Sequence, residues 1–207
     1  MSEIFANLRI AMGGDTVDGV QSITAVADSN GPNGPYTTNL QSTRDGKLFF
    51  EQLRDGQRPF QAWISGKEGL GTGQSGDKVA LGSHHVAMIK SHDFQMIPIN
   101  FQQRYDGVEI QETCEFNGAN CHKVQFTDEM GQVCHAYFDV ETHLWAGMTL
   151  TNSLKQDGSI VTIAINNWQK VDGVLLPQSI TATDEAGDFH LQFKTITLNT
   201  VDEKIFT

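Results

Sequence analysis

The dipeptide Cys-His occurs twice in this chain of 207 residues, at 121–122 and at 134–135. Thiolate and imidazole are common zinc ligands, so two such pairs close together in the sequence suggest a metal site. Turn residues at 128–131 separate the pairs, which are therefore expected to lie on neighbouring strands of one hairpin. A shared metal would require all four side chains to point to the same face of that hairpin.

The alternation of side chains along a strand argues against this site. Successive residues point to opposite faces, so Cys121 and His122 cannot both reach one metal, and the same holds for Cys134 and His135. A turn at 128–131 would pair residue 127 with residue 132, which places the two histidines on one face. No carboxylate on that face completes a ligand set, so the sequence predicts no metal at this hairpin.

A neighbouring hairpin, with its turn at Asn117-Gly118, suggests another role for the cysteines. This two-residue turn places Cys114 opposite Cys121, and it places Glu112 opposite Lys123, where the opposite charges support the register. In an oxidising compartment, Cys114 and Cys121 would be positioned to form a cross-strand disulfide. The alternative is a pair of buried, unpaired thiols, and the sequence leaves both open.

The remaining candidate groups do not form a recognisable catalytic site. His84, His85 and His92 fall in a predicted helix and Asp93 follows it directly; a solvated helix face is a simpler interpretation of this group than a metal site. The glycine-rich segment 66–78 lacks the Gly-Lys-Ser/Thr ending of a phosphate-binding loop, so it is predicted to be a mobile surface loop. Flanking motifs of a catalytic serine or cysteine are missing. The sequence predicts a protein that is not an enzyme and needs no cofactor, with a His-dependent metalloenzyme as a remote alternative.

The elements that would position these residues are mostly strands. Apolar residues at helical spacing predict helices at 3–12 and 81–92, with a short helical turn at 16–19. Alternating segments between turn residues predict strands at 20–28, 36–44, 47–54, 60–65, 108–116, 119–127, 132–139, 143–152, 159–168, 174–183 and 188–198. The predicted fold is mainly β (α+β): an antiparallel meander of roughly 10–11 strands that forms an incomplete β-barrel around one or two helices.

Composition limits the partners. Hydrophobic residues make up 39% of the chain and charged residues 19%, which is typical of one folded domain, here 1–207. The net charge of -11 repels nucleic-acid phosphates, so no nucleic-acid partner is expected. No apolar run reaches the roughly 20 residues of a membrane span, so no transmembrane segment is expected. The N-terminus lacks the features of a signal peptide, which indicates either a cytoplasmic protein or an exported one whose signal peptide has been removed.

Four blocks of the sequence together resemble one known family. The longest, at 116–145, is FNGANCHKVQFTDEMGQVCHAYFDVETHLW. The others are AMGGDTVDGVQSI at 11–23, WQKVDGVLLPQSI at 168–180 and ITLNTVDEKIF at 196–206. In this order they resemble the outer-membrane lipoprotein-sorting (LolA-like) superfamily, most strongly in the C-terminal half of the chain.

The resemblance implies a single LolA-like domain, in which the incomplete β-barrel wraps around one or two helices and leaves an apolar cavity. It implies an exported, periplasmic protein that binds or carries a lipid, a lipoprotein acyl chain or another apolar ligand without transforming it. Some relatives are sensor domains. The alternative is therefore an envelope sensor or interaction domain that binds a protein partner through the face or rim of the sheet.

The wall of the implied cavity would consist of large apolar residues on the strands and on the covering helices. The candidates that fit this description are Phe49, Phe60, Trp63, Met88, Ile89, Phe94, Met96, Trp145, Met148 and Trp168. Each of them is also a typical core residue, so the sequence alone does not separate cavity wall from core.

Overall fold

The computed structural model describes residues 3–57, 59–73, 75–155 and 157–206. The helices are α1 (Glu3–Met12), α2 (Asp15–Asp18), α3 (Ser83–Lys90) and α4 (Ile97–Arg104), with a 3-10 helix at Glu203–Phe206. The strands are β1 (Ser22–Gly31), β2 (Gly34–Thr43), β3 (Lys47–Leu53), β4 (Phe60–Ser65), β5 (Glu68–Thr72), β6 (Lys78–Ala80), β7 (Asp106–Phe116), β8 (Ala119–Thr127), β9 (Val133–Asp139), β10 (Trp145–Thr151), β11 (Ile160–Val171), β12 (Val174–Asp184) and β13 (Gly187–Leu198). Within these ranges, no helix has the length and apolar character needed to cross a bilayer.

The thirteen strands form one antiparallel sheet. Strands that follow each other in the chain are paired, apart from β6 and β7, which form the two open edges; β1 also pairs with β13. Irregularities of register between β7 and β8, between β9 and β10, and between β11 and β12 bend the strands. The sheet therefore curves without closing, and the predicted fold class, an incomplete antiparallel β-barrel with helices packed against it, is confirmed.

The prediction of a loop at 66–78 is wrong, because this segment forms β5 and the beginning of β6. Gly69 and Gly71 lie in β5, and a Cβ atom at Gly71 would be 2.8 Å from the side chain of Leu81. The glycines that suggested a loop instead let the segment before α3 pack closely on the sheet. These two strands also explain why the sheet has thirteen strands rather than the roughly 10–11 predicted.

The register between β8 and β9 differs by one residue from the prediction. Thr127 lies opposite Val133, because the ladder continues through Asp128, whose amide donates at 2.9 Å to the opposite segment. A shift of one residue moves each side chain to the other face of the strand. His122 and His135 therefore lie on opposite faces, and the expectation that they share one is wrong. Among the described residues, no three His, Cys, Asp or Glu side chains come together as a metal site.

The register between β7 and β8 places Cys114 directly opposite Cys121, as the turn at Asn117-Gly118 predicts. A bulge in β7 falls at the predicted pair of Glu112 and Lys123, which are not direct partners. The thiols of Cys114 and Cys121 are not bonded to each other. Their disulfide stays a prediction.

We expect this disulfide to form when the protein folds in an oxidising compartment. Cys114 and Cys121 enclose a short loop, for which loop-closure entropy predicts a stabilisation of about 2 kcal/mol. The measurement is peptide mapping of protein purified from a bacterial periplasm, with and without reduction. The expected result is a cross-linked peptide pair that contains both residues, with Cys134 alkylated after denaturation. Alkylation of all three cysteines without reduction would contradict the prediction.

Two clusters of buried side chains form the core. The larger one lies between β1, β7–β13 and the helices α1 and α4. Phe101 of α4 packs there with ring centroids 5.4 Å from Phe5 of α1, 5.2 Å from Phe126 of β8 and 5.6 Å from Phe138 of β9. The smaller cluster lies between α3 and β2–β4 and contains Phe50. The two helices α1 and α4 therefore fill most of the half-barrel, and α3 covers a separate part of the sheet.

Candidate functional site

A cavity of about 320 Å³ lies between α3 and the strands β10–β13. This volume is at the lower end of the roughly 300–1,000 Å³ found for small-molecule sites. Most of its wall is apolar, and it includes Met88, Phe94, Leu150, Val161, Phe189 and Leu191. We consider it the candidate functional site, because it is a partly open and mainly apolar space between α3 and the sheet.

The cavity exists because α3 packs against strands β2–β4 and leaves a space between itself and β10–β13. Val86 and Ile89 of α3 are buried in the smaller cluster, against β2–β4. Met88 of the same helix is partly buried against that cluster and also lines the cavity. On the opposite wall, Leu150 of β10 and Leu191 of β13 belong to the larger cluster. Neither cluster fills the space between these walls, so apolar surface is left available to a ligand.

The polar end of the cavity is formed by turns at one end of the sheet. Turns of an antiparallel meander alternate between its two ends, so the connections β8–β9, β10–β11 and β12–β13 lie at the same end. They contribute Asp128 and Glu129, residues 152–154, and Asp184 to the lining. Glu129 forms an ion pair with Lys90 at the end of α3. The cavity is therefore amphipathic, with an apolar interior and charged groups at this end.

A buried ion pair holds the ends of α3 and α4 together beside the cavity. The Arg104 guanidinium donates to Oδ2 of Asp93 at 2.8 Å and to the carbonyl oxygen of Lys90 at 2.6 Å. Both side chains of the ion pair are less than one-tenth exposed. Burial raises the pKa of Asp93, against the opposing effect of the Arg104 guanidinium. At the beginning of α3, the Ser153 hydroxyl donates at 3.1 Å to the carbonyl oxygen of His84.

His92 lies between the cavity and the smaller core cluster. Its ring centroid is 5.4 Å from that of Phe50 and 5.7 Å from that of Phe94, and Nδ1 donates at 2.9 Å to the carbonyl oxygen of Met88. Burial lowers the pKa of His92, although the hydrogen bond to Met88 acts in the opposite direction. The imidazole is therefore neutral in the folded protein near neutral pH.

Acidification is expected to destabilise the protein through His92. The unfolded chain binds a proton at the ordinary pKa near 6.5, whereas the folded chain does so only at lower pH. The stability that His92 contributes is present above pH 6.5 and is lost as pH falls, by at most about 1.4 kcal/mol per pH unit. Urea unfolding at pH 7, 6 and 5 measures this loss.

The matched variant is His92→Phe, which keeps an aromatic ring and cannot bind a proton. Its free energy of unfolding is expected to fall less between pH 7 and pH 5 than that of the original chain. The Asp93 carboxyl, whose pKa is raised by burial, acts in the opposite direction but is present in both proteins. If the free energy of unfolding fell equally with pH in the two proteins, His92 would have the same pKa in the folded and the unfolded chain, and the prediction would be wrong.

The structure places two of the ten predicted wall residues, Met88 and Phe94, at this cavity. Completely buried in the core are Ile89, Met96, Trp145 and Met148. Phe60 and Trp168 are partly buried against the core. Phe49 and Trp63 contact each other with centroids 5.6 Å apart, on the face of β3 and β4 opposite to Phe50. Ligand contact by any of the ten stays a prediction.

The sequence analysis missed the strand residues that form the wall opposite α3. Leu150, Val161 and Leu191 lie on inward faces of β10, β11 and β13, next to residues of the larger cluster. The period-2 alternation along each strand could have identified these inward positions. It could not show which inward positions are left uncovered, because that depends on where α3 packs.

Two other depressions lie elsewhere on the protein, and the larger one is less suited to an apolar ligand. The larger, of about 670 Å³, runs along β1, β2, β12 and β13, and exposed polar side chains such as Asn166, His190 and Gln192 form much of its wall. The other, of about 390 Å³, lies between α1 and α4 and includes Ile10, which is 67% exposed. An apolar ligand in the first would lie against a hydrated polar wall.

Comparison with known proteins shows similarity at the level of structure. No protein-family model matches the sequence, and a comparison with curated proteins finds no match. The chain is similar to a LolA superfamily protein from Nitrosomonas europaea, with a TM-score of 0.67, 12% identity and coverage of 97% of both chains. It is similar to an outer membrane lipoprotein-sorting protein domain from Vibrio parahaemolyticus, with a TM-score of 0.63, 13% identity and coverage of 99% of this chain and 95% of that one.

A DUF1329 family protein from Desulfovibrio piger is also similar, with a TM-score of 0.65, 12% identity and coverage of 99% of this chain and 95% of that one. All three similarities extend over nearly the whole described chain. They agree with the fold described above. The resemblance found in the sequence is thus confirmed at the level of fold, and the chain has a LolA-like fold.

Proposed function

We propose that this protein is a non-enzymatic, exported carrier that binds the apolar chain of a lipid, of a lipoprotein acyl group or of a similar ligand. The observation that carries the proposal is the apolar cavity between α3 and β10–β13. The shared fold with a LolA superfamily protein and a lipoprotein-sorting domain supports this choice of ligand class and a periplasmic location. The protein would hold its ligand without transforming it.

The size and chemistry of the cavity favour a single acyl chain. A volume of about 320 Å³ is near the lower limit for small-molecule sites, so a ligand with several chains would not fit without expansion. Each methylene that leaves water for this wall contributes about 0.8 kcal/mol. Binding would therefore strengthen with chain length until the chain fills the cavity, and longer chains would gain nothing further.

The experiment is native mass spectrometry of protein purified without detergent, followed by solvent extraction of any bound lipid. It is combined with a titration of the neutral fluorescent probe N-phenyl-1-naphthylamine. We expect an adduct of one single-chain amphiphile per protein, or saturable uptake of one probe molecule after delipidation. A protein without bound lipid that also takes up no probe would contradict the proposal.

A second candidate function, an interaction domain, is favoured by apolar residues near the open edges of the sheet. Val79 of β6 is 47% exposed, Ile110 of β7 is 47% exposed and Val133 at the beginning of β9 is 56% exposed. Edge strands with exposed apolar residues are able to pair with a strand of another protein. Photo-cross-linking in cells from position 110, on the edge strand β7, is the test. A stoichiometric cross-linked partner, together with an empty cavity, would favour this function over the carrier.

A further inference from the structure

Two of the charge pairs around the cavity are balanced. Lys90 pairs with Glu129, and Arg104 pairs with Asp93. Each pair combines one cation with one carboxylate at short range, so neither contributes net charge to the site. The charge that a ligand meets is therefore determined by the other ionisable groups of the lining.

Asp128 and Asp184 are these other groups, and both line the polar end of the cavity. The carboxylate of Asp128 accepts hydrogen bonds of 2.9 Å from the amides of Met130 and Gln132, and that of Asp184 accepts one of 2.7 Å from the amide of Ala186. Among the described residues, neither carboxylate forms an ion pair. Lys155 on the neighbouring turn forms its ion pair with Glu185, and its charge also acts on Asp184. The two aspartates and Glu185 outnumber this one cation, so the polar end carries an excess of negative charge.

Tyr105 adds an observation that is independent of the two carboxylates. The residue is 8% exposed and lines the cavity, and no hydrogen bond within the described part of the chain reaches its hydroxyl. A hydroxyl that no protein group satisfies is available to a ligand or to water in the cavity. Burial raises the pKa of Tyr105 to about 12. The hydroxyl therefore stays protonated and can donate to, or accept from, a head group.

We propose that the cavity selects amphiphiles by the charge of the head group: it prefers an ammonium group, accepts a neutral hydroxyl and disfavours a carboxylate. The inference rests on the proposed function, because an apolar chain must first occupy the cavity. With the chain among Leu150, Val161 and Leu191, the head group lies beside Asp128 and Asp184. An ammonium group neutralises the excess charge there, whereas a carboxylate adds to it.

The test compares decylamine, decanol and decanoate, which share a chain length and differ in head-group charge. Each competes for bound N-phenyl-1-naphthylamine, at pH 7 and below its micelle concentration. We expect decylamine to bind at least about tenfold more tightly than decanoate, with decanol between them, as one or two partly screened charges predict. Equal binding of all three, or tighter binding of decanoate, would overturn this inference and leave the carrier function intact. No binding of any of the three would count against both.

Two sets of variants identify the groups responsible. Asp128→Asn combined with Asp184→Asn keeps a carbonyl oxygen for the backbone amides and removes the charges. It is expected to bring the amine-to-carboxylate ratio close to one without changing decanol binding. Tyr105→Phe is expected to weaken decanol and decylamine equally, by about fivefold. Glu141→Gln combined with Asp172→Asn, two exposed residues at the opposite end of the sheet, changes the net charge by the same amount and should leave the ratio unchanged. An unchanged ratio in the double variant would refute the assignment to these carboxylates.

Discussion

The Ala182→Phe variant is expected to bind N-phenyl-1-naphthylamine or decanol roughly a hundredfold more weakly than the original chain, while remaining folded. Ala182 lies on β12 between Ile163 of β11 and Phe189 of β13, and its side chain faces the cavity. A phenyl ring there would occupy space that the ligand needs. If it displaces three methylenes, at about 0.8 kcal/mol each, the loss is about 2.5 kcal/mol.

The matched control is Thr183→Phe, the same ring on the next residue of β12. Thr183 is exposed and points to the opposite face, where its hydroxyl donates to Asp188 at 2.7 Å. Equilibrium titration measures binding, and thermal unfolding shows that both variants are folded. Unchanged binding in Ala182→Phe would place the ligand outside this cavity. Equal loss in both variants would point to a general perturbation of the sheet.

Phe101→Ala is expected to produce the largest loss of stability, about 3–5 kcal/mol, because it removes a ring that is central to the larger cluster. Phe101 is 2% exposed. Its centroid is 4.9 Å from that of Tyr105, in addition to its contacts with the rings of α1, β8 and β9. Truncation leaves a cavity that these rings cannot close. For a chain of this length the midpoint of thermal unfolding should fall by about 10 °C.

Gln103→Ala on the same helix is the control, because Gln103 is exposed and its truncation removes no buried contact. Its free energy of unfolding should change by less than about 0.5 kcal/mol. Phe101→Leu should lie between the two, since it retains part of the buried volume. Urea unfolding measures all three. A Phe101→Ala protein as stable as the Gln103→Ala protein would mean that α4 does not organise the larger cluster.

The two hairpins around β8 show how far the sequence determines register. The turn at Asn117-Gly118 has φ values of 50° and 77°, a conformation that these two residue types adopt readily, so the pairing of Cys114 with Cys121 was predictable. The turn after β8 is longer, and its geometry depends on the Asp128 carboxylate, which accepts hydrogen bonds from two backbone amides. Several registers fit such a turn, and the predicted one was wrong by one residue.

The glycines of β5 show a second limit of prediction from the sequence. Gly69 and Gly71 are residues typical of a loop, and only the positions of Val86 and Leu81 explain why a strand needs glycine there. The candidate wall shows the same limit, because Trp145 and Met148 are as apolar as Leu150 yet are completely buried. Apolar character identifies the residues that are buried, but it does not show whether they pack against other side chains or line a cavity.

The sequence by itself determined the antiparallel meander, the order of its strands from β7 to β13 and the enclosed helix α1, because alternation, helical spacing and turn residues are local properties. The tertiary structure decided where the half-barrel is filled and where it is open. Helices α1 and α4 occupy the larger part, while α3 packs only along β2–β4 and leaves the cavity beside β10–β13. That cavity depends on contacts between residues far apart in the chain, so no local pattern contains it.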